Sequence, residues 1–226
     1  MSRHSNEKLR AVFGLVWTLA VLYFVSNRLL ALTVLLLSWF AIFFPWLASE
    51  WILLGIAASF FLVQDYICLK AGVFEFKFRD LLRMPFYEPF LWGFYFLALK
   101  RFVSGSGPTQ VRIGWKSIAG FLATTVTFSL LSGNSGKLSY ITFASTAFLI
   151  LLFHRKRDLQ YGLSALILGV IVELFGVSSG LWRYPQPDFL GIPFWFAAMW
   201  ISSGVLGYHF MIPLSEQLSG KRDYRA

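Results

Sequence analysis

Charged residues are scarce in this chain. Asp, Glu, Lys and Arg make up 14% of its 226 residues, whereas a typical soluble domain has about 25%. Hydrophobic residues make up 57% of the sequence, and aromatic residues alone make up 19%. A soluble globule of this size cannot hide so much apolar surface from water, because its surface is large relative to its volume. The composition therefore excludes an ordinary soluble protein and predicts a protein that is integral to a membrane.

Cysteine and histidine are also rare. Cys68 is the only cysteine, which excludes an internal disulfide and a cysteine-based metal cluster. The histidines are His4, His154 and His209, and no two of them have the spacing of metal ligands. Di-iron desaturases and hydroxylases of membranes need a histidine-rich cluster. We therefore predict a protein that uses no metal and no cofactor.

Motifs that bind phosphate groups are missing. The sequence has no P-loop and no Gly-x-Gly-x-x-Gly stretch. It also has no aspartate-rich pair for magnesium diphosphate. The net charge of +9 suits basic loops that set membrane orientation and meet anionic headgroups. We expect membrane lipid as a partner and not nucleic acid, and the sequence leaves the oligomeric state open.

Long apolar runs dominate what is present. A helix needs about 20 apolar residues to cross a bilayer. The predicted spans are residues 11–25, 29–47, 51–69, 85–99, 114–131, 138–153, 159–177 and 192–214. We therefore predict an all-α membrane protein with about eight transmembrane helices, forming a single membrane domain over residues 1–226. Most of the acidic residues fall outside these spans and are assigned to exposed loops and tails.

The basic residues indicate how the chain is oriented. With the N-terminus in the cytoplasm, most of the 20 Lys and Arg fall on the cytoplasmic side of the predicted spans. The first apolar run follows a basic N-terminus, but no small-x-small cleavage site follows it, so we expect an uncleaved helix. The prediction is a protein of the bacterial inner membrane with both termini in the cytoplasm and a cytoplasmic tail at 215–226.

The sequence is similar to itself at an offset of 108 residues. The matching pairs are Asp65 and Glu173, Gly72 and Gly180, Pro85 and Pro193, and Trp92 and Trp200. The same shift superposes the predicted spans of the first half on those of the second. We therefore predict two tandem four-helix repeats, at about 11–100 and 114–214. Because four is an even number, both repeats enter the membrane from the same side.

Each predicted repeat has a glycine and a proline at equivalent positions between its third and fourth helices. A glycine, Gly72 or Gly180, follows the carboxylate, and a proline, Pro85 or Pro193, opens the next helix. Glycine permits a positive φ or a close helix approach. Proline in the first turn of a helix costs no hydrogen bond. We interpret these residues as a structural motif.

Three acidic residues lie within predicted spans: Asp65, Glu88 and Glu173. A charge in lipid is costly, so such groups face the bundle interior, find a partner or stay protonated. A protonated carboxylic acid in a dry cavity can protonate a carbon–carbon double bond, and aromatic faces and a second carboxylate stabilise the carbocation. We predict that these residues are catalytic. The aromatic residues predicted to bind the substrate are Phe74, Phe76, Tyr87, Trp92, Trp182, Tyr184, Trp195 and Trp200.

Other interpretations stay open. The carboxylates Asp65 and Glu173 could form ion pairs with basic residues of the outer loops, which are Lys70, Arg79, Arg83 and Arg183. The chain could be a non-enzymatic scaffold or a lipid-binding protein whose aromatic residues pack solidly. It could also be a small proton-coupled transporter, since intramembrane carboxylates and tandem repeats suit proton coupling. Against transport, the predicted spans have few polar residues apart from Thr124, Thr125, Thr127 and Ser129 in one helix.

The first outer loop, residues 70–83, alternates apolar and basic side chains. Its apolar residues are Phe74, Phe76, Phe78, Leu81 and Leu82, and its basic residues include Lys77, Arg79 and Arg83. Such alternation is typical of segments that lie in the membrane interface. We expect this loop to lie there.

The repeated motif resembles that of the membrane-integral carotenoid cyclases and hydratases. Those proteins carry an acidic residue, a Gly-aliphatic-aromatic turn and a proline-led helix that often opens Pro-x-Glu-Glu. Here Pro85-Phe86-Tyr87-Glu88 retains the second Glu, whereas Pro193-Phe194-Trp195-Phe196 has neither, and the stretch from Glu173 to Tyr184 is closer to the hydratase-like members. The resemblance implies a helical bundle that acts on the ends of an isoprenoid or polyene substrate by acid catalysis without a metal. It implies that Asp65, Glu88 and Glu173 are the acids.

Overall fold

The computed structural model describes residues 3–109, 111–131 and 135–220. In chain order the elements are α1 (Arg3–Phe24), α2 (Arg28–Ile42), α3 (Ala48–Ala71), β1 (Glu75–Phe76), α4 (Glu88–Ser104), α5 (Trp115–Leu131), α6 (Ser135–Leu152), α7 (Lys156–Ser178), β2 (Trp182–Arg183), α8 (Trp195–Leu206) and α9 (Ile212–Leu218). A π-helical segment, Gly207–Met211, joins α8 to α9. The last residues of the predicted tail, 221–226, and the side chains of Thr127 and Ser129 lie outside the described part.

Several of these helices have the length and composition of membrane spans. The described helices that are both long and apolar enough are α3, α7 and the helical run Trp195–Leu218. Two more, α2 and residues Gly136–Leu152 of α6, are apolar but shorter. Many large apolar side chains on the outer faces of the helices are exposed, among them Leu37, Ile167 and Leu151. Apolar side chains on the outside of a helical bundle are what a bilayer requires.

The prolines of the repeated motif lie before the helices and not in them. Pro85 precedes α4, and its carbonyl accepts a hydrogen bond from the main-chain N–H of Glu88 at 3.1 Å. Pro193 precedes α8, and its carbonyl accepts one from Phe196 at 3.3 Å. The prediction that these prolines open the helices is therefore wrong by a few residues. Each proline lies in the turn that leads into its helix, where its fixed φ is compatible with the turn.

The helix α4 is buried along almost its whole length. Its sequence is apolar on every face, and a helix of that kind is stable only when it is surrounded. It packs against α1, α3 and α7. Gly93 permits the closest of these approaches, because a methyl group there would lie 2.7 Å from the carbonyl oxygen of Leu54 in α3. Small residues of this kind allow helices to pack closely in membranes.

A buried ion-pair network holds one end of the bundle, which we call the ion-pair end. Arg101, near the end of α4, donates to Glu50 at the start of α3 and to Glu7 in α1, each at 2.7 Å. Its guanidinium also donates to the carbonyls of Phe43 and Pro45 between α2 and α3. The prediction that Glu7 and Glu50 lie in loops or tails is wrong, since they lie in α1 and α3 and are only 6% and 0% exposed. Ion pairs to Arg101 offset the cost of burying them.

Further contacts lie at the same end of the bundle. Asp158, in the first turn of α7, lies 2.8 Å from His209 of the π-helical segment. Thr109, which follows α4, donates hydrogen bonds from its main chain and its hydroxyl to Glu216 of α9. The beginning of α1 and the end of α9 therefore lie at the ion-pair end together.

The opposite end, which we call the strand end, carries the two short strands. They pair antiparallel, with Glu75 opposite Arg183 and Phe76 opposite Trp182. Each strand follows a helix that ends at a glycine in the left-handed conformation, with φ 74° at Gly72 and 67° at Gly180. Glycine adopts this conformation without the clash that other residues suffer. These turns bring the chain back over the bundle, so that the two strands meet above its centre.

Candidate functional site

A cavity of about 100 Å³ adjoins the strands and is enclosed mainly by α3, α4, α5, α7 and α8. The carboxyl groups of Asp65, Glu88 and Glu173 all line it. They come from α3, α4 and α7, so both halves of the chain contribute to one site. The structure therefore brings together the residues that the sequence predicts to be catalytic.

The carboxylate of Asp65 is held by an indole. The side chain lies near the end of α3, is 8% exposed, and accepts a hydrogen bond from Trp92 Nε1 at 2.8 Å. The indole of Trp92 is stacked between Phe61 and Trp200, with ring centroids 3.9 and 5.0 Å away. Because stacking fixes the indole ring, it fixes the direction from which Asp65 receives its hydrogen bond.

The carboxylate of Glu173 is held by two donors on the following strand segment. Its Oε2 accepts hydrogen bonds from Trp182 Nε1 and from the hydroxyl of Tyr184, both at 2.8 Å. The indole N–H of Trp200, which also lines the cavity, has no hydrogen-bond partner among the described residues. The segment that follows α7 thus folds back so that Trp182 and Tyr184 donate hydrogen bonds to Glu173 of that helix.

Glu88 differs from the other two acids because a fully buried oxygen of its carboxyl group has no partner among the described residues. It is the first residue of α4 and is only 7% exposed, and its Oε2 has no hydrogen-bond partner. The hydroxyl of Tyr95, two turns further along the same face of α4, also lines the cavity and has no partner. A buried polar group without a partner is uncommon in a folded protein and is more often found where function requires it.

Ion pairs do not neutralise these acids. None of the salt bridges formed by the described residues involves Asp65, Glu88 or Glu173. The basic residues proposed as partners bind elsewhere: Arg79 and Arg183 contact Glu75, and Arg83 donates to a main-chain carbonyl. The ion-pair interpretation of the carboxylates is therefore wrong for the part of the chain that the structure describes.

Most of the predicted substrate-binding aromatics line the cavity. They are Phe74, Phe76, Trp92, Trp182, Tyr184, Trp195 and Trp200. Tyr87 is the exception, because it is buried at the N-cap of α4 and does not line the cavity. Glycines make room for two of the indoles: a methyl group at Gly169 would overlap the ring of Trp200, and one at Gly176 would overlap that of Trp182.

Sequence reasoning missed part of the cavity wall. The missed residues include Phe60, Phe61, Gln64, Tyr95, Phe121, Met199, Ser203, Leu206 and Met211. Helical spacing could have found some of them, since Tyr95 lies seven residues after Glu88 and Phe61 lies four before Asp65. Helical spacing could not identify the cavity residues of α5, because this helix contains no acidic residue whose face could be followed along the sequence.

The chemistry of the cavity wall is acidic and aromatic. None of the described residues that line it is Lys, Arg or His. Within the described residues, no group of three His, Cys, Asp and Glu side chains is arranged to hold a metal ion. What the wall offers is a set of carboxyl groups, aromatic faces and a few hydroxyl groups.

Comparisons with known proteins identify the fold. No protein-family model matches the sequence, and no curated protein matches it. The crystal structure of the mycobacterial Insig homologue MvINS from Mycobacterium vanbaalenii matches with a TM-score of 0.66 and 17% identity, over 80% of this chain and 98% of that chain. A cross-linked trimer of MvINS matches with a TM-score of 0.65 at 17% identity and the same coverage. The chain therefore has an Insig-like helical fold and is an integral membrane protein.

Proposed function

We propose that this protein is a membrane enzyme that protonates a carbon–carbon double bond of an uncharged isoprenoid lipid. The observation that carries the proposal is the convergence of Asp65, Glu88 and Glu173, without ion pairs, on one aromatic-lined cavity. The motif resemblance to carotenoid cyclases and hydratases points to the same substrate class and the same acids.

The different hydrogen bonds of the three acids suggest a different role for each of them in the reaction. Glu88 has a free oxygen on the cavity wall and gives its proton to one carbon of the double bond, which leaves a carbocation at the other carbon. Asp65 and Glu173 are already oriented by Trp92, Trp182 and Tyr184, and their charge stabilises the cation. Aromatic faces add to that stabilisation. Loss of a proton from a neighbouring carbon to a carboxylate then re-forms a double bond, so no oxidant or reductant is consumed.

Charge and size restrict the substrate further. Phosphate and carboxylate ligands are disfavoured, because the wall carries three carboxyl groups and, among its described residues, no basic side chain. The volume of about 100 Å³ is below that of a cavity of about 150 Å³ that holds one benzene. A site of this size takes at most the terminal unit of a long uncharged lipid, and the rest of that lipid would extend into the bilayer.

The proposal includes the tandem four-helix architecture with eight spans. Two observations support this architecture. Glu75 and Arg183, which are 108 residues apart, pair across the strands. The contact between Glu50 and Arg101 has a counterpart 108 residues later in the chain, between Asp158 and His209. A two-fold axis between the strands relates such contacts. The positive-inside rule favours the cytoplasm for the ion-pair end and a bacterial inner membrane as the location.

Proton transfer to carbon can be detected directly. Purified protein in vesicles is incubated with an acyclic polyene in deuterated water, and the lipid is then analysed by mass spectrometry. We expect the wild type to incorporate deuterium at carbon. We expect Glu88→Gln to incorporate less than about a hundredth as much, because general acid catalysis contributes a factor of about 100 or more.

The exposed Glu75→Gln variant is the matched control, since Glu75 lies outside the cavity and should leave the incorporation unchanged. Equal incorporation by wild type and Glu88→Gln would overturn the role of Glu88. No incorporation by the wild type with any polyene would overturn the enzymatic proposal.

A lipid-binding protein without catalysis is the second candidate. The observation that favours it is that Asp65 and Glu173 are both hydrogen-bonded by fixed aromatic donors, as in a static recognition site. This candidate predicts that an uncharged lipid co-purifies with the protein and is recovered chemically unchanged, without deuterium. Mass spectrometry of the same samples separates the two candidates.

A further inference from the structure

Each half of the chain forms a tight hairpin at the strand end. Leu81 and Met84 exchange main-chain hydrogen bonds at 2.9 and 2.8 Å, so that only two residues form the first turn. Phe189 and Ile192 do the same at 3.0 and 2.9 Å in the second turn. We call residues 81–84 and 189–192 the twin hairpins. They correspond to each other at the repeat offset of 108.

The tips of the twin hairpins have a strained backbone. The non-glycine residues with positive φ in the described chain are Leu82 (47°), Arg83 (69°) and Leu190 (49°), and all of them lie at these tips. Turns of this kind favour Asn and Gly, which tolerate the left-handed conformation. Leucine offers no conformational advantage there, so a gain elsewhere must favour it.

The tips are apolar and exposed. Leu81, Leu82, Phe189 and Leu190 are 45%, 43%, 63% and 63% exposed. Basic side chains accompany them: Arg83 is exposed at the first tip, and Lys77 is exposed beside it. Apolar side chains with basic neighbours are suited to the boundary between acyl chains and anionic headgroups.

We infer that the twin hairpins insert their leucine and phenylalanine side chains into the bilayer leaflet at the strand end, as a paired anchor. The partner is the lipid surface itself, with acyl chains around the apolar tips and phosphate groups beside Arg83 and Lys77. This inference does not depend on the proposed chemistry. It explains why leucine occupies left-handed positions in both halves, since only an apolar tip gains free energy from insertion.

The twin hairpins are connected to the cavity wall through the strand segments that precede them. Each hairpin continues directly from a strand segment whose aromatic residues line the cavity wall, Phe74 and Phe76 in one half and Trp182 and Tyr184 in the other. Anchored tips hold these segments against the leaflet. An apolar ligand that enters near them passes from lipid to cavity without crossing water.

Site-directed spin labelling measures the depth of the tips. Cys68 is the only cysteine and is buried, so a Cys68→Ser background allows single labels from Leu82→Cys and Leu190→Cys. Full-length protein is placed in vesicles of phosphatidylcholine and phosphatidylglycerol, and the accessibility of each nitroxide to oxygen and to a water-soluble nickel chelate is compared. We expect both labels to favour oxygen over the chelate.

Two reference positions calibrate the scale. Ile167→Cys lies on an exposed apolar face in the middle of α7, and Pro108→Cys lies in the exposed loop at the ion-pair end. The tip labels should fall between these references and closer to Ile167→Cys. Labels as accessible to the chelate as Pro108→Cys would overturn the inference. Labels shielded from both reagents would also overturn it, because they would indicate contact with a second protein chain.

A polar tip tests the cause of the anchoring. Leu82→Asn with Leu190→Asn keeps the turns, because Asn tolerates left-handed backbone, and should leave the midpoint of thermal unfolding in detergent unchanged or higher. A nitroxide from Phe189→Cys should then move toward the chelate by about twofold or more in accessibility ratio, in proportion to the apolar area removed from the tips. If that label keeps its depth, the apolar tips do not anchor the hairpins and the inference fails.

Discussion

Glu88 and Glu173 are equally buried, yet their surroundings make them different residues. Glu173 satisfies two donors, Trp182 and Tyr184, whereas an oxygen of Glu88 meets none. Removal of an acceptor leaves its donors unpaired, and each unpaired buried group costs about 1–3 kcal/mol. Removal of a group without a partner has no such cost. The two acids therefore differ in what they contribute to stability, whatever they do in catalysis.

Leucine substitutions should reveal that difference. We expect Glu173→Leu to lower the free energy of unfolding by about 2–6 kcal/mol, because two donors lose their partner at about 1–3 kcal/mol each. Glu88→Leu should be neutral or stabilising, since it replaces a buried polar group by an apolar one of similar size. Equilibrium unfolding in mixed micelles measures both values. Equal losses in the two variants would contradict the assignment of the hydrogen bonds.

Glycine positions give a second test at the same scale. Gly169→Ala and Gly176→Ala should each displace an indole of the cavity wall and cost about 1–3 kcal/mol through overpacking. Gly55→Ala is the control, because this helical glycine has open space around it and alanine is the better helix former by up to about 1 kcal/mol. Thermal unfolding and tryptophan emission report the effect. A stabilising Gly169→Ala would show that Trp200 does not need the space.

The residue scale also shows how far the sequence could predict the site. Asp65 and Glu173 were found because a carboxylate inside an apolar run is rare, and the offset related them. Tyr95 was missed, because a tyrosine among many aromatics has no signal of its own. Tyr87 was assigned to the wall by its place in the motif, but the turn before α4 directs it elsewhere. Here the rarity of a residue type predicts its place on the cavity wall better than its position in the motif does.

At the scale of elements, the ion-pair end holds α1, α3 and α4 together. Arg101 reaches Glu7 across a separation of 94 residues and Glu50 across 51. The sequence could not predict these pairs, because each acid lies at a helix terminus where exposure is the ordinary outcome. The eight apolar runs were predicted because hydropathy is a local property. The partners of a buried charge depend on the tertiary arrangement.

Breaking this network should be costly. Arg101→Met removes the partner of two buried carboxylates, and breaking a buried pair costs about 3–5 kcal/mol. Arg79→Met is the matched control, since Arg79 contacts Glu75 on the surface, and an exposed pair contributes about 0–1 kcal/mol. Unfolding in mixed micelles compares the variants. A loss in Arg101→Met no larger than in Arg79→Met would show that the network contributes little.

The whole molecule has two chemically different ends. Buried ion pairs collect at one end, and the strands, the cavity and the twin hairpins collect at the other. The offset of 108 residues predicts this arrangement in part, because tandem repeats with an even number of helices place equivalent loops on one side. It did not predict that the equivalent loops pair as strands. That pairing depends on how the two halves of the chain pack against each other, which the sequence alone does not determine.

The location of both termini tests this arrangement in the cell. Glu7 of α1 and Glu216 of α9 are both tied to the segment around the end of α4, so the ends of the chain lie together. Basic residues favour the cytoplasm for that end. Reporter fusions active only in the cytoplasm should therefore work at either terminus, and a reporter active only outside should work when inserted at Pro187, beside the second hairpin. Activity of the outside reporter at one terminus only would contradict an even number of crossings, and its activity at both termini would reverse the predicted orientation.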